Sequence, residues 1–282
     1  MITVKNLVKN YEDFNLEISM EIPSGTVTGL IGKNGAGKST TIKSILGLIK
    51  PDGGEVKVFG TEASKMKAGD KEALGVALSD ACFSGELAVD DIAKILKKMY
   101  RAFDADAFLK KCKQMKLPKD KSIKAFSTGM KAKLRVLIAM SHKAKLLILD
   151  EPTAGLDVEA RMDILDMLRD YISEDEERSI LITSHISSDL EGICDDIYMI
   201  HDGRVILHED TDTILAQYAL LKVDEHQMEK LDQQYILKTK KEAFGYTCLT
   251  NQKQYYMENY PDVVIENGRI DDLILMLTGG KR

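Results

Sequence analysis

The sequence predicts an α/β fold with a parallel core sheet, and two patterns lead to this prediction. Apolar runs at residues 145–150 and 179–183 lie on either side of an amphipathic segment at about 159–172. A strand, a helix and a strand in this order form a parallel pair with a crossover connection. In addition, apolar and polar residues alternate from Phe14 to Ile22, which predicts a half-buried strand of an accompanying antiparallel sheet.

A glycine-rich motif connects the first core strand to a helix. Residues 32–39 read G-x-x-x-x-G-K-S, between an apolar run at 26–31 and a predicted helix at about 38–48. The backbone N–H groups of such a loop surround phosphates, Lys38 reaches the β- and γ-phosphates, and the hydroxyl of Ser39 can hold Mg²⁺. The motif predicts a bound nucleotide; the alternative is a glycine-rich turn without a ligand. The predicted contact residues are Gly32, Lys33, Asn34, Gly35, Ala36, Gly37, Lys38, Ser39 and Thr40.

Two acids, Asp150 and Glu151, stand at the carboxyl end of the apolar run 145–150. In an open parallel sheet, ligands bind beyond the carboxyl ends of the strands. Asp150 is suited to the coordination shell of Mg²⁺, and Glu151 is suited to orient and deprotonate the water that attacks the γ-phosphate. The alternative is a pair of solvated acids at a strand end.

A third motif, Ser127-Thr128-Gly129-Met130-Lys131, opens a helix rich in Lys, Leu and Ala. Ser127 and the amide of Gly129 lie where a helix leaves N–H groups unpaired, so together they form a candidate anion site. The alternative is that Ser127 only caps its own helix.

Composition limits the class of protein. With 44% apolar and 30% charged residues, the 282-residue chain is an ordinary globular protein, long enough for one large domain and an appendage. Its net charge of −6 argues against a nucleic acid partner. No apolar run approaches the roughly 18–20 residues of a membrane-spanning helix, and the N-terminus has no secretory pattern. Four scattered cysteines predict reduced cytosolic thiols rather than zinc or disulfides.

The remaining segments give weaker signals. Within residues 82–145, apolar side chains such as Ile92, Leu96 and Met99 recur at helical spacing. A hairpin is predicted around the turn at residues 201–204. The last stretch carries no motif and reads as a small α/β appendage, with candidate strands at 235–238 and 245–250 and a candidate helix at 271–277.

Five motifs follow one another along the chain, at residues 32–39, 127–130, 146–151, 154–157 and 183–185. In this order they resemble the Walker A, signature, Walker B, D-loop and H-loop motifs of the nucleotide-binding subunits of ABC transporters. The resemblance implies a P-loop NTPase core of ABC type, in which a mixed sheet combines an antiparallel β subdomain, a RecA-like parallel core and a helical subdomain. The implied ATP-binding domain spans residues 1–218, with the helical subdomain at about 82–145, and the accessory α/β region spans 219–282.

Further roles are implied by the same resemblance. In this family the signature loop of one subunit closes over the nucleotide of another, so Ser127, Gly129 and Asp157 are implied to act across a head-to-tail dimer. His185 is implied to contact the γ-phosphate and Glu151, although a lone histidine at a strand end would more often belong to the core. Tyr11 holds the position of the aromatic residue that stacks on adenine; the alternative is a half-buried strand tyrosine.

Two positions depart from the pattern of the family. Thr128 replaces the first glycine of the signature, which suggests modified activity. Ser79 and Asp80 stand where the family has the Q-loop glutamine; Ser79 matches the position, whereas Asp80 could serve Mg²⁺ instead. These departures leave open which groups hold the metal and how the nucleotide is coupled to a membrane partner.

The helical segment carries many more basic than acidic residues. Because this subdomain docks on the membrane subunit in the family, we hypothesise that its basic surface lies near anionic lipid head groups or acidic coupling segments, where each lysine adds on the order of 1 kcal/mol. The alternative is a solvated helical face. The basic residues are Lys94, Lys97, Lys98, Arg101, Lys110, Lys111, Lys113, Lys116, Lys119, Lys121 and Lys124.

The chain is therefore expected to be the ATPase subunit of an ABC exporter, with ATP and Mg²⁺ as its ligands. It looks most like subunits of ABC-2-type exporters, which handle antimicrobial peptides, antibiotics such as bacitracin, or lipids. The implied partners are a second ATP-binding subunit, identical or different, and a separately encoded membrane-spanning permease, with no nucleic acid. The chain itself is expected to bind peripherally at the cytoplasmic face of the cell membrane. The alternatives are a soluble ABC-type ATPase not coupled to transport and a regulatory member of a heterodimeric pair.

Overall fold

A computed structural model of the chain describes residues 1–79, 83–243 and 245–279. Asp80, the alternative Mg²⁺ ligand, and Cys82 lie outside the described residues. The strands are β1 (Ile2–Asn10), β2 (Asn15–Ile22), β3 (Val27–Ile31), β4 (Gly53–Val58), β5 (Thr61–Glu62), β6 (Leu74–Ala77), β7 (Leu146–Asp150), β8 (Ser179–Ser184), β9 (Asp196–His201), β10 (Arg204–Asp210), β11 (Ala219–Val223), β12 (Ile236–Glu242), β13 (Gly245–Thr250) and β14 (Val264–Asn267). The α-helices are α1 (Lys38–Ile45), α2 (Ala68–Lys71), α3 (Val89–Met99), α4 (Ala105–Gln114), α5 (Thr128–Met140), α6 (Val158–Ser173), α7 (Ser187–Glu191), α8 (Thr211–Gln217), α9 (Glu225–Lys230), α10 (Lys253–Asn259) and α11 (Ile270–Thr278).

The core is a six-stranded sheet in the order β10-β9-β3-β8-β7-β6. Strands β9, β3, β8, β7 and β6 run parallel, and β10 pairs with β9 as an antiparallel hairpin. Every residue of β3, β7 and β8 is buried, as is usual for a parallel sheet covered on both faces. The predicted strand–helix–strand unit is confirmed as β7, α6 and β8.

The second sheet is antiparallel, in the order β2-β1-β4-β5. Exposed and buried residues alternate along the whole of β2, as its sequence predicts. The buried side chains Leu16 and Ile18 share a hydrophobic cluster with Ile42 and Ile45 of α1. This sheet therefore supports the helix that follows the glycine-rich loop.

Helix α1 ends at Ile45, three residues earlier than the sequence predicts. The N–H of Leu48 donates to the carbonyl of Lys43 over 2.8 Å, and the N–H of Gly47 donates to that of Ser44 over 3.0 Å. This pair of bonds is a Schellman motif, which terminates a helix. Apolar periodicity continues past it, so the pattern alone places the end too late.

Helices α3, α4 and α5 make up the predicted helical region. Ile92, Leu96, Phe108 and Cys112 are buried in one core cluster, whereas Met99, the last residue of α3, is 56% exposed. No helix in the described part of the chain has both the length and the apolar character needed to cross a membrane.

Residues 219–279 contain a third, antiparallel sheet in the order β12-β13-β11-β14. The sequence predicts β12 and β13 approximately, but it does not reveal β11 or the short and mostly exposed β14. Leu220 and Leu249 of this sheet belong to the same core cluster as Tyr218 and Ile270. The accessory region thus packs onto the rest of the chain, and the boundary at residue 218 stays a prediction.

The tip of the β9–β10 hairpin joins the glycine-rich loop to β2. Gly203 donates its N–H to the carbonyl of Ala36 over 3.1 Å and accepts the N–H of Glu17 over 2.7 Å. Its φ is +75°, and a Cβ at this position would lie 1.9 Å from the carbonyl oxygen of Asn15. Glycine is therefore required where the hairpin, the loop and the second sheet meet.

Replacing Gly203 by alanine should destabilise the protein more than replacing Gly60. Gly60 has a similar φ of +76° but nothing within 4 Å of an added Cβ, so G60A should cost only the left-handed backbone penalty of about 1–2 kcal/mol. G203A adds a collision with backbone and should lower the free energy of unfolding by at least about 3 kcal/mol. Urea unfolding followed by circular dichroism measures both changes, and equal losses would contradict the proposed contact.

Candidate nucleotide-binding site

An open cleft of about 790 Å³ lies at the carboxyl ends of the core strands. The parallel register aligns Ile31 with Ser184 and Asp150 with Thr183, so the segments that follow β3, β7 and β8 meet at one edge of the sheet. Gly32, which begins the loop, is buried and does not line the cleft. The predicted site residues that line the cleft are Tyr11, Lys33, Asn34, Gly35, Ala36, Gly37, Lys38, Ser39, Thr40, Asp150, Glu151 and His185.

Lys38, the first residue of α1, places a cation inside the loop. Its ammonium group donates to the carbonyl of Gly32 over 2.7 Å and lies 3.4 Å from the carboxylate of Glu151. Its side chain is only 7% exposed. Gly37 precedes it with a φ of +116°, and a Cβ there would lie 2.6 Å from the side chain of Leu16. Close packing against β2 therefore fixes the loop that carries this charge.

Asp150 is 4% exposed, and hydroxyl groups surround its carboxylate. Thr183 donates to one carboxylate oxygen over 2.8 Å. The hydroxyls of Ser39 and Ser79 lie 3.4 Å and 3.3 Å from the other oxygen. Since a buried carboxylate is stable only with such partners, the three hydroxyls account for the position of Asp150.

Glu151 has a φ of +51°, which is rare for a residue with a Cβ and is typical of functional sites. Its backbone N–H donates to the hydroxyl of Thr183 over 2.9 Å. Its carboxylate lies 2.5 Å from Nδ1 of His185 and also accepts the backbone N–H of His185 over 3.2 Å. Glu151 therefore connects the cation of Lys38 with His185.

Thr183 is a residue whose role sequence reasoning missed. Its hydroxyl contacts both Asp150 and the N–H of Glu151. The sequence shows Thr183 only as the first letter of a motif that ends in His185. The register between β7 and β8 reveals this role, because it places Thr183 directly beside Asp150 at the end of β7.

Tyr11 lies just beyond the end of β1 and is 44% exposed. Its ring is tilted against Phe14 at a centroid distance of 6.4 Å, and both rings line the cleft. Tyr11 therefore lies outside the strand and in the wall of the cleft, and its stacking on adenine stays a prediction. The sequence predicts Phe14 only as a strand residue, and its place beside Tyr11 is a second feature that the sequence does not indicate.

Ser127, Gly129 and Asp157 do not line this cleft. The hydroxyl of Ser127 accepts the N–H of Met130 over 3.2 Å and caps α5, while Asp157 accepts the N–H of Ala160 over 2.8 Å and caps α6. Within the single chain, Ser127 thus behaves as the capping alternative predicts. A Cβ on Gly129 would lie 2.9 Å from the Cβ of Ala160, so the starts of α5 and α6 are packed together.

Ser79 lines the cleft, and its match to the Q-loop glutamine stays a prediction. The guanidinium of Arg135 donates to the carbonyls of Leu78 and Ser79 over 3.2 Å and 2.8 Å. These bonds hold Ser79 near Asp150. The proposed metal role of Asp80 stays a prediction.

The residues that could hold Mg²⁺ are Ser39 and Asp150. A hydroxyl and a carboxylate are oxygen ligands, which Mg²⁺ prefers, and it commonly binds through one or two carboxylates together with substrate phosphates. The described residues contain no cluster of three or more His, Cys, Asp or Glu that could hold a metal ion without such phosphates. The donor set therefore fits a metal that is bound together with a nucleotide.

Comparisons with known proteins identify the family. A model of the ABC transporter family matches residues 16–154. The lantibiotic transport ATP-binding protein SrtF of Streptococcus pyogenes is 33% identical over 216 residues, which cover 75% of this chain and 92% of SrtF. This chain belongs to the ABC transporter family.

Two further similarities agree with membership of the ABC transporter family. The bacitracin transport ATP-binding protein BcrA of Enterococcus faecalis is 32% identical over 210 residues, which cover 73% of this chain and 68% of BcrA. A solved structure of the ATP-binding subunit of an ABC transporter has a TM-score of 0.68 and 28% identity, and the match covers 77% of this chain and 92% of that one. The predicted ABC-type fold is confirmed, and the chain is an ABC ATPase.

Replacing Thr183 by valine in this ABC ATPase should lower the free energy of unfolding by about 1–3 kcal/mol. Valine has nearly the same shape, but it leaves Asp150 without its shortest hydrogen bond and removes an acceptor from the N–H of Glu151. T183S keeps the hydroxyl and is the matched control. Urea unfolding measures both variants, and equal stability of T183V and T183S would contradict the assigned role of Thr183.

Proposed function

We propose that this ABC ATPase drives an exporter whose cargo is a peptide, an antibiotic or a lipid-like molecule. The observation that carries the catalytic part is the position of Glu151, whose carboxylate contacts both Lys38 and His185. The cargo class is supported by the transport of lantibiotics and of bacitracin, for which SrtF and BcrA are named.

Glu151 is the general base in this proposal. A carboxylate in this position accepts a proton from the water that attacks the γ-phosphate. His185 holds that carboxylate through its ring nitrogen and its backbone N–H. Two contacts from one residue restrict the orientation of the base, which is what water activation requires.

Lys38 is proposed to change its partner when ATP enters the loop. In the structure its counter-ion is Glu151, at 3.4 Å. A triphosphate brings more negative charge to the loop and competes for the ammonium group. When Lys38 contacts the phosphate instead, the carboxylate of Glu151 is released from this ion pair and stays in contact with His185. ATP binding thereby frees the proposed base while Lys38 neutralises the phosphate.

Ser39 and Asp150 are the proposed Mg²⁺ ligands. When bound, this ion neutralises the charge that develops on the phosphate oxygens. Thr183 keeps the carboxylate of Asp150 in place through the 2.8 Å hydrogen bond. Tyr11 offers an exposed ring at the rim of the cleft, on which an adenine base can stack with a gain of about 1–3 kcal/mol.

A second ATP-binding subunit is proposed to complete the site. Ser127, Gly129 and Asp157 lie outside the cleft of their own chain, and Ser127 and Asp157 are exposed at the starts of α5 and α6. In a head-to-tail dimer these helix starts would close over the nucleotide of the partner. Either an identical or a different partner fits this arrangement.

A membrane-spanning permease is the other proposed partner, with the chain bound peripherally at the cytoplasmic face of the cell membrane. The basic helical surface is the proposed contact. Lys94, Lys111, Lys116 and Lys124 each lie within 4 Å of an acidic group of this chain. Lys110 and Lys113 of α4 are exposed and are better candidates for contact with anionic groups of a partner.

E151Q should lower kcat for ATP by about 10²–10⁴-fold, because glutamine keeps the shape but cannot take the proton. ATP binding should persist, since the glycine-rich loop is unchanged. Phosphate release measures turnover, and a fluorescent ATP analogue measures binding. E177Q, which removes a 75% exposed carboxylate, is the control. Normal turnover by E151Q would refute the assignment of Glu151.

Charge reversal of Lys110 and Lys113 should weaken assembly with the membrane partner by about tenfold or more, if each lysine contributes about 1 kcal/mol. Lys111 is left unchanged because it pairs with Glu174 at 3.6 Å. The measurement is the amount of permease that copurifies with K110E/K113E in mild detergent. K230E/K238E reverses two exposed lysines of the accessory region as a control. Unchanged recovery with K110E/K113E would exclude this surface as the contact.

A further inference from the structure

Helix α7 starts two residues after His185 and has only five residues, Ser187–Glu191. The hydroxyl of Ser184 accepts the N–H of Ile186 over 2.9 Å and donates to the carbonyl of Ile186 over 3.2 Å. This turn links the end of β8 to α7. Because so short a helix gains little stability from its own hydrogen bonds, the position of His185 depends on what holds α7.

One anchor of α7 comes from α6. Arg161 of α6 brings Nε to 3.2 Å from a carboxylate oxygen of Asp189, whose side chain is only 2% exposed. The side chain of Arg161 is 28% exposed, and such a partly buried ion pair is screened less by solvent than a surface pair. The pair attaches α7 to α6, the helix that is capped by Asp157, the proposed interface residue.

The other anchor comes from the accessory region. The carboxylate of Glu191, at the end of α7, accepts the N–H of Ile270 over 3.1 Å. Ile270 is the first residue of α11, and the N–H groups of a first helical turn have no partner within their helix. Next to this bond, Leu190, Ile270 and Leu273 are all fully buried in one cluster. A carboxylate and apolar contacts together join α7 to α11.

We infer that Glu191 is a positioning residue for His185, and that the accessory region at 219–279 contributes to ATP hydrolysis through it. The inference rests on the proposed roles of Glu151 and His185. At one end of α7, Glu191 is fixed by α11; at the other end, His185 makes two contacts with the same oxygen of Glu151, over 2.5 Å and 3.2 Å. A rotation of α7 changes both contacts at once.

Through Glu191, the accessory region acquires a function although it carries no sequence motif. An event on the accessory region that moves α11 would reach the general base through one hydrogen bond and one five-residue helix. Glu191 does not touch the nucleotide cleft, so its effect must pass through the orientation of His185 rather than through binding of ATP.

The test compares E191A, E191Q and E229A in the full-length protein. E191A removes the acceptor for the N–H of Ile270, and kcat should fall about tenfold with little change in KM. E191Q keeps an acceptor oxygen and should restore most of the activity. E229A removes an exposed carboxylate of α9, in the same region, and should match the wild type. A rise in KM alone, or equal losses in E191A and E191Q, would overturn the inference.

A double-mutant cycle with H185A separates positioning from general destabilisation. If Glu191 acts through His185, E191A should cost less than about twofold in kcat once His185 is absent, because the two effects are not additive. A similar fold loss in both backgrounds would mean that Glu191 only stabilises the fold, and would overturn the inference.

A second measurement needs no turnover and keeps the inference distinct from the proposed function. With ¹⁵N-labelled histidine, the His185 resonance is assigned by its loss in H185A. It should shift in E191A, remain in place in E229A and return towards the wild-type position in E191Q. If the wild type failed to hydrolyse ATP, the proposed function would be wrong, while this resonance would still decide whether Glu191 positions His185; an unchanged resonance in E191A would overturn that role.

Discussion

Backbone hydrogen bonds pair β3 with β8 and β8 with β7 in parallel, so that Ile31, Ser184 and Asp150 stand at the same edge of the core sheet. Each of these strands ends at that edge, and the segment that follows it carries part of the site. The glycine-rich loop follows β3, Glu151 follows β7 and His185 follows β8. A shift of one residue in any pairing would turn alternate side chains to the opposite face and separate these groups.

The contacts among the charged groups of the cleft depend on this strand register. The ammonium of Lys38, the carboxylate of Glu151 and the ring of His185 form a continuous series of contacts. Asp150 takes no part in that series, because hydroxyls of neighbouring segments satisfy its carboxylate. Asp150 and Glu151 thus have different surroundings, which agrees with the proposed roles of Asp150 as a metal ligand and of Glu151 as a proton acceptor.

The site also depends on contacts outside the cleft. Gly203 links the β9–β10 hairpin to Ala36 of the loop, and α7 links His185 to α6 and α11. Helices α5 and α6 present Ser127 and Asp157 away from the cleft of their own chain. The described part of the chain therefore contains a nucleotide cleft and, at another place, the residues proposed to complete a partner's cleft.

The sequence by itself determined the strand–loop–helix unit, the two acids after a buried strand, the order of the five motifs and the alternation of β2. These signals are local, because loop chemistry and residue periodicity act over a few positions along the chain. Only the tertiary structure decided that Thr183 serves both Asp150 and Glu151, that Tyr11 lies beside Phe14 in the cleft, and that Glu191 holds α11. The contacts of Thr183 and Glu191 join residues 32 to 79 positions apart, and no local pattern marks them, because strand register and helix packing bring such side chains together only after the chain has folded.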